Sequence, residues 1–227
     1  MDIARLFDSL HLAQATLTES EMIAHDEEIA RLEAEQEVKE AQKRYERTGV
    51  PVRYFRESFD TFVTDTNERQ ALLNRVKGFV TNVKCGKHGV LVLIGNAGTG
   101  KTHCACSALR ECGGKYKEST AIVEAIKQAQ SFGANTTPTA VINNLVKCNL
   151  LVIDEIGRAR SNEEPDVLFR LINALYNEEK SAILVGNFRN QKAFFDYVGS
   201  AFVDRLVECG SIVELHGESY RKVLRNL

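Results

Sequence analysis

Gly95-Asn96-Ala97-Gly98-Thr99-Gly100-Lys101-Thr102 fills every fixed position of G-x-x-x-x-G-K-[ST], and no other stretch constrains the fold of this chain so tightly. The apolar run Gly89–Ile94 precedes it and His103–Leu109, which reads as a helix, follows. The motif therefore sits between a buried strand and a helix, as a phosphate-binding loop must. Glycines let successive amides curl around phosphate oxygens while the positive end of the helix faces the same anion. Gly95, Asn96, Ala97, Gly98, Thr99 and Gly100 would form the cradle for ATP. Lys101 would reach the β- and γ-phosphates, and Thr102 would hold Mg²⁺ through its hydroxyl.

A second chemical element lies downstream. Asn149–Glu155 is an apolar strand ending in two carboxylates. After a P-loop this pairing assigns Asp154 to Mg²⁺ and Glu155 to orienting and deprotonating the attacking water. Ser181–Asn187 is another apolar run, and it puts polar Asn187 at a strand end, where a γ-phosphate sensor sits.

The remaining chain supplies layers for this core. Apolar spacing predicts helices over Asn67–Val83 (Leu72, Leu73, Val76, Phe79 and Val80 inward), Thr120–Ser131, a segment leading to Cys148, and one with Pro165 near its first turn (Val167, Leu168, Leu171, Ile172 and Leu175 inward). Phe202–Leu206 also reads as a helix, and Ser219-Tyr220-Arg221 opens a terminal one. Short strands are expected at Tyr116–Ser119 and Ser211–Leu215. Arg53–Phe62 mixes arginines with Tyr54, Phe55, Phe59 and Phe62, a composition that suits either packing at a domain edge or stacking on a base.

Ahead of Gly49-Val50-Pro51, which breaks helical geometry, the chain changes character. Residues 1–50 carry 12 acidic and 6 basic side chains, net −6 against −2 for the whole, so the body is mildly basic at +4. Ile3, Leu6, Phe7, Leu10, Ala13 and Leu17 form a short apolar stripe suited to a partner's groove, or to packing back on the body or on the following helix. Thr18-Glu19-Ser20-Glu21 then restarts a helix predicted to reach Arg47, with a thin stripe of Ala30, Ala34, Val38, Ala41 and Tyr45. Two domains are expected, a helical arm over 1–48 and an ATPase over 49–227.

No apolar run approaches the ~18 residues of a membrane span, and the N-terminus lacks a signal-peptide layout, so a cytoplasmic protein with no membrane partner is expected. Six cysteines show no C-x-x-C pair, which points to reduced, packed thiols rather than a metal centre.

Taken together, Gly95–Thr102, the segment Leu151–Gly157, Asn187, Asp204-Arg205-Leu206 and Ser219-Tyr220-Arg221 resemble the DnaC/IstB-like AAA+ ATPases, the helicase loaders and transposition ATPases of bacteria and phages. The resemblance covers roughly 49–227. It implies an α/β P-loop AAA+ domain with a five-stranded parallel sheet and, with 22 residues left after Arg205, no C-terminal lid. It implies that Asn187 is sensor 1, Arg205 an arginine finger acting on a neighbouring subunit's ATP, and Arg221 the sensor 2 arginine. The partners it implies are a hexameric replicative DNA helicase, single-stranded DNA, and further copies of the chain in a ring or spiral. Phe132, in a small polar loop, is then the candidate to stack on a DNA base. The same P-loop also serves transposition ATPases on duplex DNA and metabolic kinases, but no lid or acceptor-binding arginine cluster for a kinase is visible.

Overall fold

The computed structural model describes residues 19–158 and 162–220. The apolar stripe around Phe7 and the sensor candidate Arg221 lie outside the described residues. Two compact units divide at Arg44/Tyr45, ahead of the break at Gly49-Val50-Pro51. Within the second unit Tyr45 is buried, lies beneath the Arg110 guanidinium at 4.1 Å and donates its hydroxyl to the Tyr54 carbonyl. The helix end from Tyr45 onward thus belongs to the second unit.

Helix α1 (Glu19–Glu46) follows the predicted span, but the alanine stripe is not its buried face. Ala30, Ala34, Val38 and Ala41 are exposed, and only Tyr45 of the predicted stripe is buried, with Ile29 the other withdrawn apolar position. Alanine removes too little area from water to fix a face. The exposed surface carries i,i+4 pairs such as Arg31 with Glu35 at 3.4 Å.

The second unit is built on a five-stranded, wholly parallel sheet in the order β2-β3-β4-β1-β5. Its strands are β1 (Val90–Gly95), β2 (Lys115–Glu118), β3 (Leu150–Ile156), β4 (Ser181–Gly186) and β5 (Gly210–Leu215). Val, Leu and Ile fill both faces of β1, β3 and β4, as a sheet covered on both sides requires. Leu91, Leu93, Leu150, Val152, Ile183 and Val185 pack on α2 (Asn67–Lys84) and α3 (Lys101–Cys112). Val92, Ile94, Leu151, Ile153 and Leu184 face the opposite layer. That layer is α4 (Ser119–Gln130), α5 (Pro138–Val146), α6 (Glu164–Asn177), α7 (Gln191–Val198) and α8 (Ser200–Cys209). Side-chain caps start α2, α5 and α7: Thr66, Thr137 and Asn190 accept from the amides of Arg69, Ala140 and Ala193.

Cys104 and Cys106 of α3 are fully buried and Cys85 is exposed, and all six thiols are free. Burial pushes the Cys104 and Cys106 thiols far above their ordinary range. Among the described residues no helix is long and apolar enough to cross a membrane, and no three His, Cys, Asp or Glu side chains are grouped to hold a metal.

Candidate nucleotide site

A cleft of about 340 Å³ opens at the carboxyl ends of β1, β3 and β4, the edge where ligands of open parallel sheets bind. The loop leaving β1 forms its floor. Gly100 caps α3 with φ 99°, a conformation costly for a side chain, and a Cβ there would lie 2.5 Å from the Phe62 ring. No side chain caps α3, so its first amides are left for an anion. Lys101 is buried, and its Nζ donates to the carbonyls of Gly95 at 3.0 Å and Asn96 at 2.5 Å. The Thr99 hydroxyl donates to the Asn96 carbonyl at 3.0 Å, closing the loop on itself.

Two segments wall the cleft. The chain before α2 contributes Tyr54, Phe62 and Val63, and it is strapped to α3 from behind. Arg110 donates to the carbonyls of Phe55 and Glu57, and His103 sets one ring nitrogen 2.7 Å from the Glu57 carboxylate and the other 2.8 Å from the Ser58 carbonyl. Of the aromatics in this segment, Tyr54 faces the cleft, Phe62 packs on Gly100, and Phe59 sits beneath the Lys77 ammonium. The second wall is Tyr220, whose amide donates to the Gly98 carbonyl at 2.9 Å and whose ring lies under the Arg69 guanidinium at 4.6 Å. Asp65 fixes that guanidinium at 2.6 Å.

The end of β3 brings in the acids. Asp154 is buried, and its carboxylate accepts from the Tyr116 hydroxyl and the Glu155 amide, each at 2.8 Å. Burial first, then the Asp154 charge, pushes the Tyr116 phenol far up, so it remains a donor. Two of the carboxylate's roughly four acceptor directions are thereby filled, and the others remain open to a hydrated cation. Glu155 has φ 60°, a left-handed conformation that costs a non-glycine residue about 1–2 kcal/mol. The β3–β4 register shifts between Ile153 and Ile156, so Glu155 leaves the ladder and turns into the cleft, 3.1 Å from Arg158. Asn187 lines the cleft one residue past β4.

The residues present fit a magnesium nucleotide. A lysine and a row of uncapped amides face the phosphate position, with a hydroxyl and a carboxylate beside it. With no three-ligand metal cluster among the described residues, Mg²⁺ would bind through phosphates and only one or two protein groups, its usual mode.

Two candidates lie elsewhere. Arg205 on α8 does not line the cleft. Its guanidinium donates to Asn173 at 2.9 Å and Glu208 at 3.0 Å and lies over Tyr176 at 4.8 Å. Phe132, between α4 and α5, is fully exposed. The sequence reading missed Tyr116 as the partner of Asp154, and it missed Arg69 and Tyr220 as a wall. No local pattern marks such pairs, which the fold brings together from distant positions.

The sequence profile of the family described as IstB-like ATP binding protein matches residues 7–227. Over 222 residues the chain is 23% identical to the replicative helicase loader DnaC of Escherichia coli K12, covering 93% of this chain and 90% of that protein. It is 28% identical over 221 residues to an insertion sequence IS21-like ATP-binding protein of Bacteroides fragilis, covering 93% of this chain and 81% of that one. Among solved structures, a DnaC helicase loader superposes with a TM-score of 0.62 at 22% identity, covering 73% of this chain and 99% of that chain. That likeness concerns the fold alone.

Proposed function

The chain belongs to the IstB-like ATP-binding family of AAA+ ATPases, and from that premise we propose that it is a helicase loader, which grips a hexameric replicative helicase and places it on single-stranded DNA. The reach of the match to a replicative helicase loader carries this reading, since it takes in 90% of that protein and extends beyond the P-loop core. The insertion-sequence relative at 28% identity favours a second reading, assembly on duplex DNA as a transposition ATPase.

In either reading the chemistry is ATP hydrolysis. Lys101 and the amides of Gly95–Thr102 hold the phosphates. Thr102 and Asp154 would hold Mg²⁺, which would supply charge neutralisation to the phosphates. Glu155 orients the water and takes its proton, and Asn187 contacts the γ-phosphate. Arg205, presented away from its own cleft, serves a neighbouring copy, so active sites are composite in a ring or spiral. Arg221, next to the cleft residue Tyr220, completes the site as sensor 2. Residues 1–48 form the partner-binding arm, and Phe132 stacks on a DNA base.

The test is a choice of ligands at fixed salt. A loader co-purifies with the host's hexameric helicase in ATP and binds single strands about tenfold or more tighter than duplex. Phe7→Ala with Leu10→Ala removes the helicase and spares nucleotide binding. Preference for duplex without helicase capture would transfer the assignment to the transposition reading.

A further inference from the structure

Glu164, at the start of α6, is a fully buried carboxylate that takes no part in lining the cleft. It accepts from the Ser119 hydroxyl at the head of α4, from the Tyr197 hydroxyl on α7, and from the Gly157 amide at 3.3 Å. On α6 it occupies the face of Leu168 and Leu171, where an apolar side chain would pack. Replacing a buried charge with a well-packed apolar group is often neutral or stabilising, so packing does not account for a carboxylate here.

Its partners lead back to the site. Gly157 lies two residues beyond Glu155, has φ 83°, and a Cβ on it would lie 2.7 Å from the Phe188 ring. Phe188 follows Asn187 and packs against the Tyr197 ring at 5.3 Å between centroids. Tyr197 therefore links the two strand ends through its neighbours, with its hydroxyl on the Glu164 carboxylate that holds Gly157 and its ring on Phe188 beside Asn187. The left-handed backbone of Glu155 is fixed on one side by the Asp154 carboxylate and on the other by this anchor. A strained conformation of that kind persists only where its surroundings determine it.

We infer that Glu164 and Tyr197 are positioning residues for ATP hydrolysis, which hold the ends of β3 and β4 so that the Glu155 carboxylate and the Asn187 amide keep a fixed relation across the cleft. The inference rests on the roles given above to Glu155 and Asn187.

Tyr197→Phe keeps the ring on Phe188 and deletes one donor. Glu164→Gln keeps the shape but leaves one acceptor oxygen for three donors. In the full chain, steady-state ATP hydrolysis, titration with fluorescent mant-ADP and thermal melting are measured together. Turnover is expected to fall about tenfold in Glu164→Gln and about threefold in Tyr197→Phe, with KM and mant-ADP affinity within about twofold of the wild type. The double variant should be no slower than Glu164→Gln, because both act through one contact. Wild-type turnover per folded molecule in both variants, whatever the melting temperature, would overturn the positioning role. If Glu164→Gln does not fold, Tyr197→Phe decides alone. Glu155→Gln in the same assay separates the two levels. If it stops turnover while the other variants do not, only the positioning role fails; if it hydrolyses ATP normally, the reading beneath fails as well.

Discussion

The carboxyl ends of β1 and β3 open onto the same cleft, yet one is built from backbone and the other from side chains. At β1 the determinants are mostly local, although Tyr220 and the end of β5 brace the loop from outside. Gly100 takes a left-handed turn, and Lys101 is held by the carbonyls of Gly95 and Asn96 in the same loop. At β3 the two acids are held from far away, Asp154 by Tyr116 on β2 and the loop after Glu155 by Glu164 on α6. An anion cradle made of amides needs only permissive residues in sequence, whereas carboxylates aimed into a cleft need partners that only the finished fold supplies.

Three substitutions probe that contrast, in descending order of effect. Glu155→Gln preserves shape and removes the proposed base, so hydrolysis should fall by about 10²–10⁴ while mant-ATP still binds. Unchanged turnover in a phosphate-release assay would make the β3 end a scaffold and erase its chemical half of the comparison. Lys101→Ala deletes the charged contact on the β1 side, and loss of a hydrogen bond to a charged group, about 1.5–3 kcal/mol, predicts about 10- to 100-fold weaker ATP binding by calorimetry. Tyr116→Phe sharpens the contrast most, though its effect is smallest. Packing is kept and one donor to Asp154 is lost, so stability should drop by about 1 kcal/mol in denaturant titration, with the half-saturating Mg²⁺ concentration for hydrolysis rising about threefold. A silent Tyr116→Phe would mean that the β3 end is as self-contained as the β1 loop.

The same division explains what could be read in advance. The P-loop, the paired acids and the five strands follow from contiguous patterns, and the inward residues foreseen for α6, Val167 through Leu175, are all buried. Helix α7 was not foreseen. It is eight residues long, buries only Phe194 and Val198, and ends at Gly199, too short for a periodic signal. In α1 only Tyr45 of the expected stripe is buried, because alanines at helical spacing carry little preference for a face. Glu164 did leave a trace, since extending the α6 stripe back one turn lands on an acidic residue where an apolar one is expected. Tyr116 and Tyr197 left none, because an isolated tyrosine in an amphipathic segment reads as ordinary packing.

Cys104 and Cys106, pressed between α3 and the sheet, make the stability of the nucleotide-binding layer something that can be timed. Exposed Cys85 is open to an alkylating reagent in the native chain, whereas the buried pair, kept protonated by their surroundings, becomes reactive only when α3 lifts away. Their labelling rate then reports the opening of the layer that carries Lys101, and any nucleotide that binds the closed form slows it in proportion to its occupancy. The same thiols set an alkaline limit. Their native pKa values lie above the ordinary 9.0, so the unfolded chain releases these protons first, and the stability they contribute is intact below about pH 9 and drains away above it.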